Sequence, residues 1–125
     1  MSVSTIHPDG VLGTGLLRLR NAWQRLRWRP RGAAEKAQKE TIRRIAPFTM
    51  VDVPRLRTLL RLSERLVTDN VEGAIVECGC WRGGTLALLD WNVRRLGSPR
   101  PIVAFDSFAG LPPPGIHDGE EARGA

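Results

Sequence analysis

The stretch IVECGCWRGG, residues 75–84, ends a short apolar run on an acid and then sets Gly79, Gly83 and Gly84 within the next seven residues. A loop of this kind, between a strand and the helix after it, lies at the carboxyl edge of a parallel sheet, where α/β folds bind ligands. Glycines there let the backbone turn sharply and approach a ligand without a Cβ in the way. The amides that open the following helix can hold a carboxylate or a phosphate. A second apolar run, PIVAFD, ends on Asp106, 22 residues past Gly84. That is near the ~20-residue offset at which an acid binds ribose hydroxyls in nucleotide-binding folds. Glycine loop and acid together argue for an adenosine-containing cofactor. The dinucleotide fingerprint G-x-G-x-x-G fails, because Trp81 stands where its middle glycine belongs. Glu77, two residues before Gly79, would repel a pyrophosphate but suits a sulfonium or ammonium group. The pattern E-x-G-x-x-x-G therefore favours S-adenosylmethionine over NAD.

Each of these residues also has a plain reading. Glu77 could be a surface acid at a strand end, and Asp106 a turn or capping residue. Trp81 either stacks near the pocket or packs the loop. Arg82 either reaches a ligand carboxylate or pairs with an acid of the protein. Cys78 and Cys80 are expected on opposite sides of the strand end as packing residues, since two thiols alone make no metal site. His7 and His117 have no partner in sequence that would make either a catalytic base, and both are expected in solvent.

The elements that must position these residues follow from periodicity. Leu16, Leu19, Trp23 and Leu26 recur at helical spacing among Arg18, Arg25 and Arg29, and Pro30 ends that run. Residues 34–45 are rich in helix formers and are closed by Pro47. Asp52 is an N-cap with Pro54 in the first turn. Leu56, Leu59, Leu60, Ser63, Leu66 and Val67 then form one face of a third helix, which TDNVEG ends. After it come a strand at AIVEC, the glycine loop, a helix that stops at Gly97, and a strand at PIVAFD. The crossover implies a parallel pair in an α/β sheet. The predicted organisation is a basic arm at 1–33, a helical accessory region at 34–70, and the opening strand-helix-strand of a cofactor-binding sheet at 71–125. A two-stranded parallel unit cannot cover both of its faces, so Val76, Ile102 and Phe105 are expected to be partly exposed. The tail, with its stiff LPPP run, is expected to be loop.

The chain's 125 residues carry a net charge of +6, concentrated before residue 46. A basic amphipathic arm can lie on a membrane, on nucleic acid, on a second subunit or on its own body. No nucleic-acid fold signature follows it, and nucleic acid is not expected as a partner. No apolar stretch approaches the ~20 residues of a membrane span, and no secretory signal pattern opens the chain. Reduced thiols and a cytoplasmic location are the simple expectation.

The segments PFTMVDVPRLRTLLRL, GAIVECGCWRGGTLALL and VAFDSFAGLPPP, in that order and at that spacing, resemble the macrocin O-methyltransferase family over about residues 42–119. The resemblance implies an S-adenosylmethionine-dependent, Mg-dependent sugar O-methyltransferase of macrolide or related glycoside biosynthesis. It implies N-terminal helices followed by the start of a Rossmann-like class I methyltransferase sheet. Glu77, Gly79 and the loop through Trp81, Arg82, Gly83 and Gly84 to Thr85 would line the methionine end of the cofactor. Asp106 and Ser107 would lie at the adenosine end, and Thr49 and Met50 in the segment that caps the pocket. The partners implied are a small-molecule glycoside and, at full length, further copies of the chain. Family members are longer, and their catalytic base and metal ligands lie in the part that would follow residue 125. Asp118, Glu120 and Glu121 are not where the family keeps its metal, so no catalytic or metal residue is assigned here. The competing readings are a non-catalytic fragment or binding module, a nicotinamide-dependent oxidoreductase, and a membrane- or nucleic-acid-binding protein.

Overall fold

A computed structural model of the chain describes residues 19, 22–24, 27–110, 112–117 and 119. Leu16, Arg18, Arg25 and Leu26 of the arm, His7, Leu111, Asp118, Glu120 and Glu121 lie outside them. The elements run α1 (Gly32–Ile45), a 3-10 turn (Ala46–Phe48), α2 (Val53–Thr68), β1 (Ile75–Cys78), α3 (Gly84–Arg95) and β2 (Ile102–Phe105). Helix and a small parallel sheet alternate as the sequence pattern demands.

The helix ends are set locally. Asp52 caps α2 by accepting from the Arg55 amide through its side chain. At the other end Asn70 takes a left-handed conformation (φ 50°), its amide bonding Val67 O and that of Val71 bonding Leu66 O. This is a Schellman ending with Asn in the glycine position. Gly97 (φ 70°) does the same for α3, with Gly97 N to Arg94 O and Ser98 N to Val93 O.

The core lies among the helices rather than on the sheet. Ile42 and Ile45 of α1, Val53, Leu56 and Leu60 of α2 and Leu88 of α3 are buried together with Trp28, and Val51 and Trp91 pack against them. Leu56, Leu60 and Ser63 of the expected stripe are buried, and Leu59, Leu66 and Val67 are partly so. Trp28 alters the picture of the arm. The described arm residues Leu19 and Trp23 are exposed, whereas Trp28, just before Pro30, is only 7% exposed and is covered by the Arg57 guanidinium at 4.5 Å.

Between α2 and α3 a polar contact is buried inside this packing. Asn92, fully buried, donates to Leu60 O (3.2 Å) and Ser63 Oγ (2.8 Å) and accepts from Arg95 (2.9 Å). Arg95 also binds Glu64 (2.9 Å), which accepts from Gln38 of α1 (2.7 Å). Three helices are thereby tied through one carboxylate.

β1 and β2 pair in parallel with Ile75 opposite Ile102 and Cys78 opposite Phe105. Ile75 N bonds Pro101 O and Gly79 N bonds Phe105 O, extending the ladder one step at each end. Val76 is 53% and Phe105 60% exposed, and Ile102 is half-buried, as an uncovered parallel pair requires.

Candidate cofactor site

The glycine loop leaves β1 at Gly79 (φ 78°) and enters α3 at Gly83 (φ 74°), both left-handed positions that favour glycine. Gly84 serves a different purpose. A Cβ there would meet Phe48 O at 2.5 Å and Ile45 O at 3.1 Å. Its missing side chain lets the start of α3 sit directly on the segment after α1. It makes room for the chain's own backbone, a role its place in the glycine loop did not announce.

That close approach brings Thr49 to Thr85. Their hydroxyls lie 3.1 Å apart, and Thr49 Oγ1 accepts the Val51 amide at 3.1 Å. Met50 is exposed beside them. Glu77 sits on β1, half-buried, with Oε2 buried and without a hydrogen-bond partner. Burial raises its pKa, and the Thr85 hydroxyl pulls the other way. Glu77, Thr85 and Ser63 line a cavity of about 190 Å³ whose other walls are apolar side chains of α2, β1 and α3. An unpaired carboxylate oxygen in such a place is costly unless a cation or donor reaches it.

Asp106 is half-buried at the end of β2. Its Oδ2 accepts from the amides of Cys80 (2.7 Å) and Trp81 (3.1 Å), and its Oδ1 from that of Phe108 (3.0 Å). These bonds, led by that from Phe108, hold its carboxyl below the usual range, so it is ionised. Three of about four acceptor positions are used by the protein itself. Asp106 thus fastens the glycine loop to the β2 end, and the Cys80 thiol also acts on its carboxylate. Both aromatic residues whose amides it holds have left-handed backbones, Trp81 at φ 48° and Phe108 at φ 52°, and both are exposed. Arg82 stacks on Trp81 at 5.1 Å. Ser107 closes its own turn, accepting from Ala109 N and donating to Gly110 O, both at 3.3 Å.

Cys80 is buried, as a packing residue should be, whereas Cys78 is exposed and does not pack as expected. Residues two apart on a strand share a face. Gly79's left-handed turn comes between them and sends Cys80 inward, where burial first, then Asp106 and Glu77, raises its thiol pKa. His117 is exposed.

The structure brings Thr49 to Thr85, places Glu77 and Thr85 on one cavity, and joins Asp106 to the amides of Cys80 and Trp81. The roles of Val51 and Phe108 escaped the sequence reading. The D-x-F spacing at 106–108 is a turn signal that could have found Phe108. No helix of the described residues is long and apolar enough to cross a membrane. Among them, no group of three or more His, Cys, Asp or Glu converges to hold a metal ion.

Comparison with known proteins gives a consistent set of relatives. The profile of the family described as Macrocin-O-methyltransferase (TylF) matches residues 13–124. Demethyldecarbamoylnovobiocin O-methyltransferase of Streptomyces niveus is 35% identical over 65 residues, which are 51% of this chain and 25% of that protein. The 8-demethyl-8-(2,3-dimethoxy-alpha-L-rhamnosyl)-tetracenomycin-C 4'-O-methyltransferase of Streptomyces olivaceus is 38% identical over 65 residues, with the same shares. The aligned stretch thus spans a quarter of each relative's length. No solved structure matches the chain.

Proposed function

Since the chain belongs to the macrocin O-methyltransferase family, we propose that it forms the S-adenosylmethionine-binding opening of a class I methyltransferase, with a Rossmann-like sheet begun by β1 and β2. The reaction is O-methylation of a small molecule, with a sugar hydroxyl of a macrolide or related glycoside as acceptor. The observation that carries this reading is Glu77 Oε2, buried, ionisable and without a partner beside the glycine loop. A bound ammonium or sulfonium would remove the cost of that orphaned oxygen; a pyrophosphate would add to it.

When bound, S-adenosylmethionine supplies an electrophilic methyl group to a substrate oxygen. The chain's own part is to hold and orient. Glu77 faces the cationic end of the cofactor. The free amides in the first turn of α3 attract its carboxylate. Asp106 shapes the loop through the Cys80, Trp81 and Phe108 amides and lies on the ribose side of the cofactor. Trp81 gives an exposed aromatic face at the loop tip. The described residues offer no metal cluster, so Mg, implied by the family resemblance, enters no step here.

Calorimetry of the 125-residue chain with S-adenosylhomocysteine and with NAD tests the reading. Tighter binding of S-adenosylhomocysteine is expected. Tighter binding of NAD would overturn it.

A further inference from the structure

A second cleft shares no residue with the glycine loop or with the cavity beside Glu77. Its volume is about 260 Å³, and it opens between Trp23, Gln24, Arg27 and Trp28 on one side and the first turns of α2 on the other. Each side brings a guanidinium laid on an indole. Arg27 stacks on Trp23 at 4.5 Å, and Arg57 of α2 stacks on Trp28, also at 4.5 Å. A stacked guanidinium keeps its N–H edge for bonds in its own plane. Among the described residues neither of these two donates a hydrogen bond. Two lining side chains hold a buried polar atom without a partner, Gln24 Oε1 and Trp28 Nε1. Val53 and Pro54 bring the N-terminal end of the α2 dipole to the same place. Glu35 is the acid that acts on this group. It accepts the Arg31 amide at 2.7 Å and feels the Trp28 indole and the Arg57 guanidinium without completing a hydrogen bond to either.

We propose that this cleft binds a small oxyanion that carries hydroxyl groups, the class of the phosphate esters of sugars and other polyols. The missing partners define the ligand. Guanidinium forks match the paired oxygens of a phosphate. The Trp28 indole N–H requires an acceptor and Gln24 Oε1 a donor, so a ligand with only one kind of group leaves one of them orphaned. A phosphate ester with hydroxyls supplies both. Turning the Gln24 amide over would set Nε2 in the same place, where it donates to the oxyanion. Both lining charges are positive, and Glu35 offsets only one of them, so an anion is favoured over a cation. The volume falls just below the ~300–1,000 Å³ of typical ligand pockets, which suits a small ligand. The site is separate from the glycine loop and stands whether or not that loop binds S-adenosylmethionine.

The chain carries four Trp, and their indole N–H signals in proton–nitrogen NMR spectra of the full chain read the site directly. Titration with glycerol phosphate at constant ionic strength should move the Trp23 and Trp28 signals together and to saturation, and leave those of Trp81 and Trp91 in place. Inorganic phosphate should act more weakly, and glycerol not at all. Arg27→Gln and Arg57→Gln should each weaken glycerol phosphate binding by about tenfold, the scale of a hydrogen bond to a charged group. Arg57→Lys keeps the charge but loses the fork, and should weaken binding less than Arg57→Gln does. Arg57 also covers Trp28, so if Arg57→Gln does not fold, the exposed Arg27 decides through Arg27→Gln. No saturable movement with glycerol phosphate overturns the proposal, as does an affinity unchanged in Arg27→Gln. Binding of glycerol, or of inorganic phosphate as tightly as the ester, also overturns it. A response to phosphatidylglycerol vesicles without one to glycerol phosphate does so too, and would make this surface a membrane contact instead.

Discussion

Glu77 holds a buried carboxylate oxygen without a partner. Its pKa is raised in the folded chain, so folding favours the protonated acid. Its contribution is therefore most favourable below the unfolded pKa, and is lost as pH rises through the folded one. Glu77→Gln should stabilise the protein at neutral pH by on the order of 1 kcal/mol, the usual scale for an unsatisfied buried polar group. The same change should abolish S-adenosylhomocysteine binding. Urea unfolding at pH 5 and pH 8 checks the first effect, which should be the larger at pH 8. Asp106 has the opposite sign. Its pKa is lowered, so the stability it confers is present above the unfolded pKa and lost as pH falls through the folded one. Asp106→Ala should weaken S-adenosylhomocysteine binding roughly ten- to hundredfold, as loss of hydrogen bonds to a charged group does. An unchanged affinity in a folded variant would remove Asp106 from the site.

At the scale of elements, the sharpest expectation concerns the seam between the 3-10 turn and α3. Gly84→Ala puts a methyl 2.5 Å from the Phe48 carbonyl oxygen, which is backbone and cannot rotate away. Overpacking of this kind typically costs about 1–3 kcal/mol. A chemical-denaturation midpoint equal to wild type would show that the seam is loose. Asn92→Ala removes the buried amide that joins α2 to α3 and should cost about 1–3 kcal/mol by the same measurement.

What could be read beforehand divides along a physical line. The Asp52 cap, the α2 stripe and the strand, loop, helix and strand from Ile75 to Phe105 depend on neighbours a few residues away, and the sequence pattern carries such information. Trp28 in the core, Gly84 against Phe48, Thr49 on Thr85 and Asp106 holding the amides of Cys80 and Trp81 join residues far apart in the chain, and no period announces them. Asp106 shows the difference. Its distance from the glycine loop marked it as a site acid, but how its oxygens are shared out emerges only once β2 lies beside β1.

For the whole molecule, the distribution of apolar surface decides behaviour. The buried cluster is helical, while Val76, Phe105 and Phe108 are presented to solvent from the sheet and its loops. A purified 125-residue chain should bind a hydrophobic dye and melt with weak cooperativity. With S-adenosylmethionine, Mg and a panel of glycosides it should give no methylated product, since the described residues hold no cluster that could bind the metal. A sharp melt with robust turnover would show a complete small enzyme.

The two bonds that Asp106 accepts from the Cys80 and Trp81 amides also tie the loop's stability to that of the sheet. They cross 26 and 25 residues of chain, and no other bond holds those two amides. The shape of the glycine loop therefore depends on β2 lying along β1, which places Asp106 beneath it. Amide hydrogen exchange would read this dependence. Cys80 and Trp81 should open and close with Gly79, whose amide bonds Phe105 O in the same ladder, and not with α3, which begins only a few residues away.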